Sequence, residues 1–356
     1  MAEPIVLLDY VNGVAGQDTP PALDPHAPDG VDVTREVRFE LGSSAQLPQG
    51  PPRYWPYRRL LEHLWRFRRP VFVELDADRV ITRLLVPTVG LVVRLEREPD
   101  GIFSVGLSTS ALRFRLPPSH PRFGALLALA RAARLAGTPV VLTATNDSHT
   151  IVDIDPDLRL RAFREDTILD GPVLGEQAIA QASPVERKRS LELFDEIAAA
   201  GCALPAGTRG CIPFAYPDDG CWTRAAAMCN VLRGRGIRAV KVWIHGRLIV
   251  ETCNSPYCEL RWFWHVAPAV RIAGDPADLA IVDPALCEWP ASVRAWTAAL
   301  GNGDARISIT EEAVWRQATE GVFVKEPEGQ LEFELDLYRE TLEQRASDVG
   351  APPYDC

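Results

Sequence analysis

Three side chains capable of thiol chemistry follow one another along the chain: Cys221 in PDDGCWTRA, His265 in WFWHVA and Asp283 in IVDP. A cysteine attacks as its thiolate. A helix N-terminus favours that form through unpaired N–H groups and a partial positive charge, and a nearby imidazole favours it further. The loop after Gly210 ends at Gly220, Asp218 or Asp219 is available as a cap, and Gly236 is a stop signal, so a helix is predicted over 221–235. Cys221 then lies in the first turn, and its thiol is expected to be unusually acidic. His265 falls in an aromatic and aliphatic strand predicted over 260–272, and Asp283 just past a short strand over 279–282. Neighbouring strands would let the carboxylate accept the Nδ1–H of His265 and leave the other ring nitrogen to Cys221. Singly, each residue has a plainer reading: a small buried hydrophobe, a core histidine, an Asp-Pro turn opener. In this order they fit nucleophile, base and orienter of a cysteine-dependent acyl transfer.

The elements needed to hold such a set are legible around it. A helix is predicted from Pro184 to about Ala200, with Ser183 as N-cap and Gly201 as stop, and the inner stripe of the 221–235 helix is expected to carry Trp222, Ala225, Ala226, Cys229 and Leu232. A strand over 237–244 and a C-terminal helix over 332–345 complete this half. The first half is β-rich: a strand within 31–41, then 71–75, 79–86, 90–95, 103–107, 112–116, 140–144 and 150–154, with helices over 54–69 and 121–136. In the second of those helices Ala125, Leu126, Leu129 and Ala132 read as the buried stripe, and the rest of 1–52 reads as loop or arm. The expected organisation is an α+β N-terminal domain over 1–155, a connector over 156–185, a catalytic domain over 186–320 in which a helix-borne cysteine packs on an antiparallel sheet, and an extension over 321–356.

Composition narrows the function classes. A net charge of -10 over 356 residues disfavours nucleic acid and anionic membranes as partners, and no stretch approaches a membrane span. Arginines interleaved with Tyr54, Trp55, Tyr57, Trp65 and Phe67 read as the solvated face of a helix whose aromatics enter a core, in preference to a base-stacking surface. His120 and His149 lie beside turn signals and read as solvated or capping. Seven of the eight cysteines fall between Cys202 and Cys287. Their spacing contains no CxxC pair, so neither a metal nor any cofactor is called for. Reduced thiols are the expectation, with Cys253 and Cys258 close enough for a local disulfide.

The strings IPFAYPDDGCWTRAAAM, GIRAVKVWIHG, WFWHVA and IVDPAL, spread over 210–289, resemble the bacterial protein-glutaminase family. The resemblance implies a papain-like and transglutaminase-like enzyme that deamidates glutamine side chains of proteins or peptides, with Cys221 as nucleophile, His265 as acid and base, and Asp283 as orienter. Trp222, Trp262 and Trp264, with Tyr216 and Asp219, would line the substrate slot. Residues 103–153 resemble the pro-region of secreted members, which implies an intramolecular N-terminal domain over the active site. The chain departs from relatives at Ala226, where they can carry His. MAEPIVLLDYVNG does not read as a classical export signal, so the expected location is cytoplasmic, or exported by another route. Two alternatives share the same residues: acyl transfer to an amine, as in a transglutaminase, and a non-catalytic binding protein with an occluded relic site.

Overall fold

The computed structural model describes residues 4–14, 36–50, 53–156, 167–204, 210–275, 277–301, 305–319 and 321–356. The backbone divides into two compact units at Pro87/Thr88. The first holds β1 (Ile5–Val14), β2 (Glu36–Phe39), β3 (Ser44–Gln46), α1 (Tyr54–Arg66), β4 (Pro70–Leu75) and β5 (Ile81–Leu85). The strands form one sheet in the order β3-β2-β1-β4-β5. Tyr57, Leu60, Leu61 and Leu64 recur at helical spacing and are buried where α1 packs on β1 and β4. Trp65 and Phe67 stay exposed. The run Ile5–Leu8, expected to belong to a loop or arm, starts the long central strand β1 instead. Residues 31–35 of the predicted strand lie outside the described residues.

The second unit begins with β6 (Thr88–Arg97), β7 (Phe103–Leu107), β8 (Phe114–Leu116), α2 (Phe123–Ala136), β9 (Pro139–Ala144) and β10 (Ile151–Asp155), a sheet ordered β10-β9-β6-β7-β8 with α2 against β6 and β10. Leu126, Leu127, Ala130 and Ala133 are the buried stripe of α2. The stripe is rotated from the expected one because the helix turns both adjacent leucines inward, which exposes Ala125 and Ala132. Residues 88–155 thus share a unit with Phe163–Cys356, whereas the expected division lay near 155.

Beyond these come α3 (Gly175–Gln181), β11 (Pro184–Val185), α4 (Arg187–Ala198), α5 (Cys221–Gly234), β12 (Val240–Glu251), β13 (Glu259–Ile272), β14 (Leu279–Ile281), β15 (Ala291–Ser292), α6 (Val293–Ala299), β16 (Arg306–Glu311), β17 (Val314–Thr319), β18 (Val322–Lys325) and α7 (Gln330–Val349). The main sheet runs β15-β14-β13-β12-β16 and is antiparallel, with β11 added in parallel to the end of β13. The α5 helix lies between β13 and α7 and is buried along nearly its whole length from Cys221 to Cys229. The architecture is α+β, as expected. One apolar core of the second unit runs from Val92 on β6 and Leu107 on β7 through α5 and β13 to Leu335 on α7.

Local details correct several sequence expectations. The helix expected at Pro184 starts at Arg187, because Pro184 and Val185 pair with Arg271 and Ile272, and the Ser183 hydroxyl accepts the N–H of Arg238 rather than capping. Disulfides join Cys202 to Cys211 and Cys258 to Cys356, so the expected reduced state fails for these four, and Cys258 bridges to Cys356 rather than to its neighbour Cys253. The Tyr354 N–H donates to the Cys253 carbonyl at 2.7 Å and brings the C-terminus to Cys258, leaving the Cys253 thiol free.

The C-terminal helix clamps the loop that leads into α5. Arg345, fully buried, donates to Asp218 Oδ2 at 2.6 Å, to the Ala215 carbonyl at 3.1 Å and to the Asn254 carbonyl at 2.9 Å. Arg339 donates to the Cys211 carbonyl at 2.8 Å. Gly220 caps α5 in the left-handed region, with φ +71°, and a side chain there would run into the ring of Tyr338. Gly220→Ala is accordingly expected to cost about 1–3 kcal/mol of stability, read as a lowered Tm; an unchanged Tm contradicts this reading of the turn.

Candidate active site

The first turn of α5 presents Cys221 to β13. Its thiol lies beside the backbone N–H of Val266, the residue after His265. His265 and Asp283 are buried together, with His265 Nε2 2.9 Å from Asp283 Oδ2. The carboxyl is held below the usual carboxylate range: burial opposes its charge, but His265 and the Trp296 indole outweigh it. An ionised carboxylate only accepts, so Nε2 carries the proton, and Nδ1 is the nitrogen left without a hydrogen-bond partner. The ring is therefore held the other way round from the expectation that Nδ1 would meet the carboxylate. Register explains it: β14 pairs with Ala269–Arg271 and sets Asp283 beyond the end of the strand, on the Nε2 side of the ring.

Two indoles fix the imidazole. Trp262 stacks on His265 with centroids 4.7 Å apart and planes 10° apart, while Trp296 lies 5.6 Å away and donates its Nε1–H to Asp283 Oδ2 at 3.0 Å. Trp222 packs on Trp264 at 5.5 Å, and Trp264 on Trp243 at 5.9 Å. Of the five residues expected to line the slot, Trp222, Trp262 and Trp264 are core aromatics around the site. Tyr216 stacks with Tyr338, and Arg345 lies over its ring.

Neither Asp218 nor Asp219 caps α5. Asp218 is held low, burial being overcome by Arg345 and His149, and His149 Nε2 lies 3.2 Å from Asp218 Oδ1. That buried pairing corrects the solvated reading of His149, while His120 does serve its turn, its Nδ1 accepting the Arg122 N–H at 3.1 Å. Arg224, three residues after Cys221, donates to the carbonyls of Tyr216, Pro217 and Asp219. The Cys221 thiol is not acidic in this state. Burial pushes it well up, which the charge of Arg224 and the Val266 N–H offset only partly.

Residues 111–113, between β7 and β8, run antiparallel along the part of β13 that β14 leaves unpaired. Phe263 N donates to the Ala111 carbonyl at 2.8 Å, Arg113 N to the Arg261 carbonyl at 2.9 Å, and Leu112 bridges Trp262. The Ser110 hydroxyl donates to Asp219 Oδ2 at 2.7 Å and the Ala111 N–H to Oδ1 at 3.2 Å, two residues from Cys221.

A family model described as Glutaminase matches residues 191–300, a span that includes Cys221, His265, Asp283 and Trp296. Over that segment the chain is similar to the glutaminase family. Two solved structures share the fold: a mutant of pro-protein-glutaminase, 20% identical with a TM-score of 0.55, covers 75% of this chain and 95% of that one. Pro-protein-glutaminase itself is 20% identical with a TM-score of 0.52, over 75% and 94%. The shared fold thus extends well beyond the glutaminase segment. No curated protein sequence matches the chain.

Sequence reasoning missed Trp296, just past the motif strings, and Tyr338, Arg345 and Ser110, which lie outside the matched segment. Arg224 was visible inside PDDGCWTRA, one helical turn from the thiol.

Asp219 gives this site a pH signature. Burial pushes its carboxyl up from 3.8 to about 6, against the hydrogen bonds from Ser110, Gly220 and Ala111. A group that holds its proton more tightly folded than unfolded stabilises the fold below its unfolded pKa and loses that contribution as pH rises through its folded pKa. The Tm of the wild type relative to Asp219→Asn should therefore fall between about pH 4 and about pH 6 and level off above; a constant difference across that window contradicts it.

Proposed function

We propose that the chain is a protein-glutamine deamidase in which Cys221, His265 and Asp283 act as a triad. The observation that carries the reading is the buried, twice-supported Asp283 carboxylate on His265, one residue from the Val266 N–H that the Cys221 thiol lies beside, within a segment that matches a glutaminase family model. His265 Nδ1 takes the thiol proton, and the sulfur attacks the carboxamide carbon of a glutamine side chain. The imidazolium then protonates the departing nitrogen, ammonia leaves, and a thioester remains. Water, deprotonated by Nδ1, attacks the thioester carbon; the C–S bond breaks, the thiol regains a proton, and glutamate is released. The N–H groups of the first turn of α5, that of Cys221 included, would stabilise the oxyanion. Trp222, Trp262, Trp264 and Tyr216 contribute the apolar walls, and Asp219 a polar contact to the substrate backbone. The reaction calls for no cofactor.

The 88–155 region would gate this chemistry. Its residues 110–113 bond to Asp219 and to β13, and the buried thiol is held protonated, so displacement of that region is what would admit substrate and water. Two disulfides favour maturation in an oxidising compartment, which supports the exported alternative over the cytoplasmic one.

Ammonia release from a glutaminyl peptide, measured with the full chain, tests the triad. Cys221→Ala and His265→Ala should lower the rate by about a thousandfold or more, and Asp283→Asn should retain a small measurable fraction. Undiminished ammonia release by Cys221→Ala would remove the proposal, and a new amide formed with added amine would turn it toward a transglutaminase. Gating is tested separately: Ala111→Pro deletes the N–H held by Asp219 and should speed alkylation of Cys221 by iodoacetamide, whereas an unchanged rate speaks against a cover at that edge.

A further inference from the structure

Three cysteines that the proposed chemistry does not use meet at the turn between β12 and β13. Cys258 is bridged to Cys356, and Cys253 is a free, exposed thiol beside them. Backbone bonds close residues 252–258 into a tight loop. Thr252 N donates to the Cys258 carbonyl at 3.1 Å and Cys258 N to the Ser255 carbonyl at 2.9 Å, with Cys258 in the left-handed region at φ +57°. Cys253 and Cys258 thus flank one turn. Residues 350–356 reach the same place: Tyr354 N donates to the Cys253 carbonyl at 2.7 Å, and Cys356 Sγ lies 4.0 Å from the Thr252 oxygen, in the peptide unit that leads into Cys253. A thiol and a disulfide held together in this way can exchange, since a thiolate displaces one sulfur of a disulfide with no oxidant.

Arg345 connects this cluster to the loop ahead of α5. It donates to the Asn254 carbonyl inside the cysteine loop at 2.9 Å, and also to Asp218 and the Ala215 carbonyl. Its guanidinium lies over the Tyr216 ring at 4.6 Å and over the Tyr354 ring at 5.8 Å. We propose that Cys253 and the Cys258–Cys356 bridge form a thiol–disulfide exchange centre with two pairings. The Cys253 thiolate attacks Cys258 Sγ, and the Cys253–Cys258 bond forms as the Cys258–Cys356 bond breaks. The electron pair leaves with Cys356 Sγ, and the proton given up by Cys253 ends on Cys356. One thiol and one disulfide remain, so neither oxidant nor reductant is consumed. The first pairing pins Tyr354 on Arg345. The second frees residues 350–356 and redraws the turn around Asn254, so Arg345 loses a ring and a carbonyl while keeping Asp218. The loop that delivers Cys221 is then held less firmly. This inference stands on the cysteines and Arg345 and goes beyond the deamidase reading.

The test incubates the full chain in oxygen-free buffer with no added thiol, blocks free thiols with N-ethylmaleimide and maps the bridges by non-reducing peptide mass spectrometry. A Cys253–Cys258 peptide should grow with time, matched by maleimide on Cys356, and Cys253→Ser should keep Cys356 unlabelled. Tyr354→Ala keeps the backbone N–H but removes the ring from Arg345, and should raise the swapped fraction about threefold, the weight of one exposed cation–π contact. The link to the α5 loop is read by hydrogen exchange. In Cys356→Ser oxidised to the Cys253–Cys258 pairing, the amides of Phe214 and Tyr216, which bond within that loop, should exchange about tenfold faster than in the wild type, the weight of one hydrogen bond to a charged group. Persistence of Cys258–Cys356 as the sole bridge among the three, with maleimide on Cys253 alone, overturns the exchange centre. Swapping only between chains, seen as disulfide-linked dimers, does the same. Unchanged protection at Phe214 and Tyr216 overturns the link through Arg345. None of these readouts uses ammonia release, so a failure of the deamidase reading is told apart from a failure here.

Discussion

The site depends on an imidazole and a carboxylate taken out of water together. Isolating either charge in a protein interior costs several kcal/mol, and the pair is tolerable only when geometry and further donors compensate. Here Asp283 accepts from both His265 and Trp296 at the same oxygen, and the ring is pressed between Trp262 and Trp296, which leaves one unpartnered nitrogen. The surrounding elements serve that arrangement. The antiparallel run of β13 and β14 sets the two residues side by side, α6 supplies Trp296, and α5 lays its first turn against the Val266 N–H.

The second constraint is the loop ahead of α5. Its carbonyls are held by Arg224 from within the helix and by Arg339 and Arg345 from α7, and its carboxylate Asp218 is shared between Arg345 and His149. Asp219 bonds to the segment that covers the β13 edge. One short loop therefore ties the proposed nucleophile both to the C-terminal helix and to the region proposed to gate it. Burial sets the chemical state of the proposed nucleophile: it raises the Cys221 thiol, so the covered form holds neutral the group the proposed enzyme needs as an anion, and it raises Asp219 as well.

Much of this was readable from local pattern. Helical spacing located α1, α2, α5 and α7, alternation located most strands, and a thiol at a predicted helix start, a histidine in a strand and an aspartate after the next strand gave the order of the candidate site. What failed was non-local. The thiol expected to be acidic from the helix dipole is raised because tertiary burial outweighs a dipole acting at one turn. Which nitrogen of His265 meets Asp283 is a matter of strand register. The Cys258–Cys356 bridge and the Arg345–Asp218 pair join positions 98 and 127 residues apart, beyond any local signal. Ser183 looked like a cap, but β13 offered its neighbours a pairing edge, and the sheet won.

The central claim is that the sulfur of Cys221 becomes acylated by a glutamine side chain. Intact-mass analysis of the full chain, acid-quenched during turnover of a glutaminyl peptide, addresses it directly. The account predicts an adduct equal to the peptide less ammonia, located on Cys221 and lost in Cys221→Ala. Ammonia release with no such adduct, or an adduct on another cysteine, would contradict it.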